Sequence, residues 1–261
     1  MISLILGDTN FPNLVIKNLK KKKINFLIID LSKNNKFKNE KNSFRFSLGK
    51  FGSMIDLIKK KNSKKVLFAG KINKPKFSSL RLDLKGILYM PKVINAAKKG
   101  DAAIIKSIVE ILNKEKIKVI KSNTFNPELS VSSGIVTKIK PTIKENNTII
   151  KGINYFKRSN KLDHVQALIV KDNKIIASEI RAGTKKTISK IKKKSNSILI
   201  KFPKKNQDLR IDLPTIGLET LKDCKKKNIK GIVLKSKQNI FLDKNKSINF
   251  ANKNRIFIKI I

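Results

Sequence analysis

Residues 3–30 read SLILGDTNFPNLVIKNLKKKKINFLIID, and this stretch decides the fold. Residues 3–6 form a short apolar run that stops at Gly7-Asp8. Residues 11–22 place Leu14, Val15 and Leu19 on one face of a helix. A second apolar run, residues 26–30, ends in an acid. Strand, amphipathic helix and strand in such close succession predict a parallel sheet with a crossover helix.

The pattern continues outward. Residues 53–61 read as a helix, 65–70 as a third strand closed by Gly70, 92–98 and 101–115 as helices, and 118–122 as a further strand. Ligands of such sheets lie at the carboxyl ends of the strands, so Gly7, Asp8, Asp30 and Gly70 are placed on the ligand edge. Asp101 follows Gly100 as a cap or first-turn acid. Residues 123–134 hold Pro127 and Gly134, show no periodicity, and read as a linker. The expected organisation is an α/β chain with a Rossmann-like parallel-sheet domain over 1–130 and a mixed α/β domain over 131–261. In the second half, 148–158 is amphipathic, and 166–171 and 175–180 flank a hairpin turn at Asp172-Asn173. A strand at 197–202, a helix at 219–227 and short strands at 231–235, 240–242 and 255–259 complete the prediction.

Composition bounds the function. The chain has 261 residues, 61 basic against 18 acidic, for a formal charge of +43. Lysine supplies nearly all of it, spread evenly, with Trp absent and aromatics at 6%. A solvated lysine surface is therefore expected, attractive to anionic lipid and to nucleic acid only non-specifically. The competing class is a basic nucleic-acid-binding protein, but no nucleic-acid module is present. The lone cysteine, Cys224, follows Leu221 at helical spacing and reads as a core residue. The opening residues lack the pattern of a signal peptide and no run reaches transmembrane length, so a cytoplasmic protein is expected.

Chemistry concentrates in residues 207–217, QDLRIDLPTIG. Asp208 and Asp212 flank Arg210 in a chain poor in acids and holding six arginines. Paired carboxylates can hold a divalent cation or move a proton, and a guanidinium can clamp a phosphate. A structural Arg–Asp pair at a strand-to-turn connection explains the same residues. Glu179 is a metal ligand or the partner of a lysine. With His164 the only histidine, any metal must sit on oxygen ligands, which favours Mg²⁺ or Mn²⁺.

The order of these segments resembles the LpxI-type UDP-2,3-diacylglucosamine pyrophosphatases of lipid A biosynthesis, nearly end to end. Gly7 with Pro12, Ala69-Gly70-Lys71 with Pro75, Gly100-Asp101, Leu162-Asp163 with Gln166, and Glu179 with Gly183-Thr184 resemble successive motifs of that family. Residues 207–217 resemble its most specific signature without departure. Asp8-Thr9-Asn10 in place of a glycine-rich turn, Lys74, Ala102, His164, Ala182 and Lys185 depart from the pattern, and Ala102, Ala182 and Lys185 replace carboxylates.

The resemblance implies hydrolysis of a lipid-linked nucleotide sugar to UMP and 2,3-diacylglucosamine 1-phosphate, with Mg²⁺. It also implies two domains and a peripheral place on the inner membrane leaflet; a homodimer stays open. Asp208, Asp212 and Arg210 are the expected catalytic residues. Gly7, Asp8, Gly70, Lys71, Asp101, Gln166, Gly183, Thr184, Gln207 and Thr215 are expected on the substrate. Asp208, Asp212, Asp163 and Glu179 are the expected metal ligands. A non-catalytic nucleotide-binding protein is the remaining alternative, because of Ala182 and Lys185.

Overall fold

The computed structural model describes residues 1–73, 75–158, 165–179, 182–192, 195–205 and 207–261. The chain divides into two compact units. The first comprises Met1–Pro127 together with Asp208–Asp212, and the second Glu128–Gln207 with Leu213–Ile261.

The first unit runs β1 (Ile2–Leu6), α1 (Phe11–Lys21), β2 (Phe26–Asp30), β3 (Ser43–Arg45), α2 (Phe51–Lys60), β4 (Lys65–Ala69), α3 (Leu84–Lys99), α4 (Asp101–Lys114) and β5 (Lys118–Ile120). Its strands form the parallel sheet that the opening stretch predicts, in the order β3-β2-β1-β4-β5. In α1, Pro12 occupies the first turn, where its missing N–H costs nothing. Phe11, Val15, Ile16 and Leu19 form the buried face, and Lys20 and Lys21 meet the negative end of the helix dipole.

The helix predicted at 92–98 begins a full two turns earlier. The Asp83 carboxylate caps it, accepting from the Gly86 N–H at 2.7 Å. It also accepts from Gly52 and Ser53 at the start of α2. Burial pushes the Asp83 carboxyl up, but these hydrogen bonds outweigh it and hold the group below its ordinary value. Pro91, a helix-ending residue by sequence rules, sits inside α3 on an exposed face. There water can satisfy the carbonyl that loses its partner.

The second unit runs β6 (Gly134–Ile135), α5 (Ile143–Arg158), β7 (Ala167–Lys171), β8 (Lys174–Ser178), α6 (Thr184–Lys190), β9 (Ser197–Lys201), β10 (Thr215–Ile216), α7 (Leu218–Lys226), β11 (Ile229–Leu234), β12 (Ile240–Phe241), α8 (Lys244–Lys253) and β13 (Phe257–Ile260). Its main sheet has the order β6-β13-β11-β9-β7-β8, and β10 pairs separately with β12. The three central strands are parallel, while β6 and β7 run against them. The hairpin turn is as predicted, with Asp172 and Asn173 at φ 44 and 64. Cys224 is fully buried in this unit's core, and burial pushes its thiol far up, so it stays protonated. Among the described residues no helix is long and apolar enough to cross a membrane.

Candidate functional site

In the first unit the strand order reverses between β1 and β4, the place where open α/β sheets leave a crevice. The predicted residues Gly7, Asp8, Gly70 and Lys71 meet there. Asp8 N–H donates to the Lys71 carbonyl at 2.8 Å, and Lys71 N–H returns to the Asp8 carbonyl at 2.7 Å. The approach is so close that a Cβ on Gly7 would lie 2.3 Å from the Lys71 carbonyl oxygen. Gly70 sits at φ +87, and its Cβ would lie 2.5 Å from the Asp8 carbonyl oxygen. These two amides donate to each other rather than to a phosphate. The edge also carries side chains: the exposed Lys71, and the Asp8 carboxylate, which accepts from the Lys33 N–H at 3.2 Å. The next residue, Thr9, is β-branched yet held at φ 100, a strained backbone of the kind that collects at sites.

Asp30, expected on the ligand edge, turns inward instead. It is fully buried and accepts from Ser32 N–H at 2.8 Å, Ser32 Oγ–H at 2.6 Å and Phe37 N–H at 3.1 Å. Its work is to hold the loop after β2. Asp101 is exposed in the first turn of α4 and makes no side-chain cap.

The signature returns to the first unit at its carboxyl edge. Just past β5, the Ser122 N–H donates to the Arg210 carbonyl at 2.7 Å, and Ile211 packs on the core around Ile5, Ile29 and Val66. The Ile211 and Asp212 amides both donate to the Asp208 carbonyl, at 3.1 and 3.0 Å, closing a turn. Across it Arg210 grips Asp208 with two prongs, Nε to Oδ1 at 2.9 Å and Nη2 to Oδ2 at 2.6 Å. The Arg210 N–H adds a third bond to Oδ1 at 2.9 Å. These bonds hold the Asp208 carboxyl below its ordinary range and push the guanidinium up. Asp208 is thus an ionised, occupied carboxylate that aims Arg210, whose side chain is still 42% exposed.

The second unit gathers four of the other predicted residues. β8 and β9 both pair antiparallel with β7, so Glu179 after β8, Lys201 at the end of β9 and Gln166 before β7 share one edge. Glu179 is 9% exposed, and its Oε2 accepts from the Gln166 N–H at 2.9 Å. Its Oε1 accepts from the Thr184 hydroxyl at 2.5 Å, and Thr184 Oγ1 accepts from Lys201 Nζ at 2.8 Å. Lys201 is itself only 7% exposed. Gln166 Nε2 donates to Gln207 Oε1 at 2.9 Å, which also accepts from the Lys204 N–H at 2.7 Å. Gly183 supplies the residue preceding α6 at φ 87. Thr215 stays local, its hydroxyl donating to the Leu213 carbonyl at 3.1 Å.

Residues 1–129 match the LpxI N-terminal domain and residues 132–259 the LpxI C-terminal domain. The chain belongs to the LpxI family. A relative from Caulobacter vibrioides, named UDP-2,3-diacylglucosamine pyrophosphatase LpxI, is 26% identical over 221 residues, covering 81% of this chain and 79% of its own.

A metal does not find a ready cage in this LpxI chain. Among the described residues no three of His, Cys, Asp and Glu stand together. Both Asp208 oxygens carry Arg210 and both Glu179 oxygens carry hydrogen bonds, while Asp163 lies outside the described residues. Glu179 as partner of a lysine is realised through one hydroxyl. Sequence reasoning missed Lys201 because one lysine among so many carries no signal; its place as the last residue of a fully buried strand, SILIK, is what distinguishes it.

Proposed function

We propose that this chain hydrolyses the pyrophosphate of UDP-2,3-diacylglucosamine in lipid A synthesis, releasing UMP and 2,3-diacylglucosamine 1-phosphate. Membership of the LpxI family along both units carries the reading. The intact signature and its Asp208-oriented Arg210 support it.

In this scheme water adds to one phosphorus and the bridging P–O bond breaks. The exposed part of Arg210 meets the charge that grows on the phosphate oxygens, and Asp208 keeps the guanidinium aimed. Asp212 takes the proton of the attacking water. Lys71 and Asp8 border the crevice of the first unit, where a nucleotide is expected. The Mg²⁺ requirement implied by the family is part of the proposal; a bound cation would neutralise charge growing on the phosphate oxygens. A diacylated substrate also requires the enzyme to meet a lipid surface from the cytoplasm.

The test is UMP release from detergent-solubilised substrate. Wild type is expected to turn over, and Asp212→Ala to lose at least about a hundredfold with binding retained. No release by the wild type, with the nucleotide still bound, would favour a non-catalytic binding protein.

A further inference from the structure

Among the described residues, large apolar side chains left in water gather on one helix of the first unit. In α3, Leu84 is 87% exposed, Leu88 70%, Ile87 58% and Ile94 36%, and Pro91 between them is also exposed. At 3.6 residues per turn these five positions fall within an arc of about 120°. The opposite face, with Gly86 and Met90, is the one that is buried. Lys85, Lys92 and Lys99 recur every seventh residue and form a row along one flank, and Lys98 ends the stripe. The helix holds no acidic residue. Lys85 and Lys92 reach Asp56 and Glu110 on neighbouring helices, so the helix is anchored on its basic side while the apolar arc faces outward.

We propose that this arc is a docking surface for an anionic lipid bilayer, with α3 lying in the interface plane. Leu84, Ile87, Leu88, Pro91 and Ile94 enter the headgroup–acyl boundary, while the exposed Lys98 and Lys99 at the end of the stripe meet lipid phosphates. An apolar stripe beside a lysine row is the pattern of interfacial helices. The charge selects the occupant. A second copy would bring +43 against +43 and stack like-charged flanks. Five side chains are also far fewer than the roughly 20–30 residues a side of a stable dimer. Anionic lipid offers the complementary sign. The inference stands on the surface alone and does not rest on the reaction.

The chain contains no Trp, so Leu88→Trp introduces a single reporter. With phosphatidylcholine–phosphatidylglycerol vesicles its emission should move to the blue and be quenched by brominated acyl chains. A Trp at Ile150, an exposed residue of α5, should do neither. The triple variant Leu84→Ser/Ile87→Ser/Leu88→Ser should partition at least about tenfold more weakly, since it removes three of the apolar side chains that enter the boundary. Ile143→Ser/Ile150→Ser should bind as wild type. The triple variant should keep its circular dichroism and its UMP release on detergent-solubilised substrate, which separates a failed docking surface from a failed enzyme assignment. Unshifted Leu88→Trp emission in protein that sediments with vesicles would overturn the proposal. So would a blue shift without vesicles that grows with protein concentration, which would place a second copy on the stripe.

Discussion

Thr184→Val tests the polar edge of the second unit most directly. Valine keeps the shape of threonine and removes only the hydroxyl, which donates to Glu179 at 2.5 Å and accepts from Lys201 at 2.8 Å. Hydrogen bonds to charged groups are worth about 1.5–3 kcal/mol each. Glu179 keeps its bond from Gln166, and Lys201 keeps further contacts, so neither charge is orphaned outright. The expected loss is therefore about 3 kcal/mol, at the low end for two such bonds. For a unit of this size that is a fall of about 10 °C in midpoint. Scanning calorimetry reads the transition, and amide exchange in β7 and β9 assigns it to this unit. Thr184→Ser, which restores the hydroxyl, should recover most of the loss. Pairing Thr184→Val with Lys201→Met should cost less than the sum of the singles, because both changes remove the same Lys201–Thr184 hydrogen bond. A Thr184→Val protein within about 1 kcal/mol of wild type, or a serine variant no better than valine, would refute the bridging role.

Three further outcomes are expected. Arg210→Gln should let the Asp208 carboxyl rise toward its ordinary value, read by NMR titration. Since the folded carboxyl is depressed, its stabilisation is present above the unfolded value and lost as pH falls through the folded one, so the variant should lose up to about 1 kcal/mol at pH 7 and nothing at strongly acid pH. UMP release should disappear in EDTA and return with Mg²⁺ or Mn²⁺; full activity in metal-free protein would remove the cation from the reaction. Gly7→Ala should destabilise the first unit by about 2 kcal/mol or more, as its Cβ is forced onto the Lys71 carbonyl, and a neutral result in urea unfolding would contradict the close pairing of the two loops.

Much of the architecture is legible because its strands are unbroken apolar runs: β2, FLIID, falls where it is predicted to the residue. Elements that lack such runs escape. α8 buries Ser247 and Ala251, small residues that leave no apolar period to read, and β3 is three residues long with one apolar side chain, Phe44. The end of α3 nearest its cap was hidden by Pro91, whose cost is small on an exposed face. At the site, the residue types of the signature are legible and their pairing is not. Asp208 and Asp212 look equivalent in sequence, yet only the three-dimensional turn gives Arg210 to Asp208. Lys201 needed a burial value to stand out from the other lysines.

The segment Asp208–Asp212, which completes the first unit from far along the chain, sets an order of events during synthesis. When Pro127 leaves the ribosome, the first unit still lacks Ile211 in its core and the carbonyl that the Ser122 N–H will need. About 80 further residues, belonging to the second unit, must be made first, on the order of 4–16 s at bacterial and eukaryotic elongation rates. The nascent first unit therefore waits with part of its carboxyl edge unfinished. The same strap that carries the signature arginine is the last piece of the first unit to arrive, so the signature is installed only once most of the protein exists.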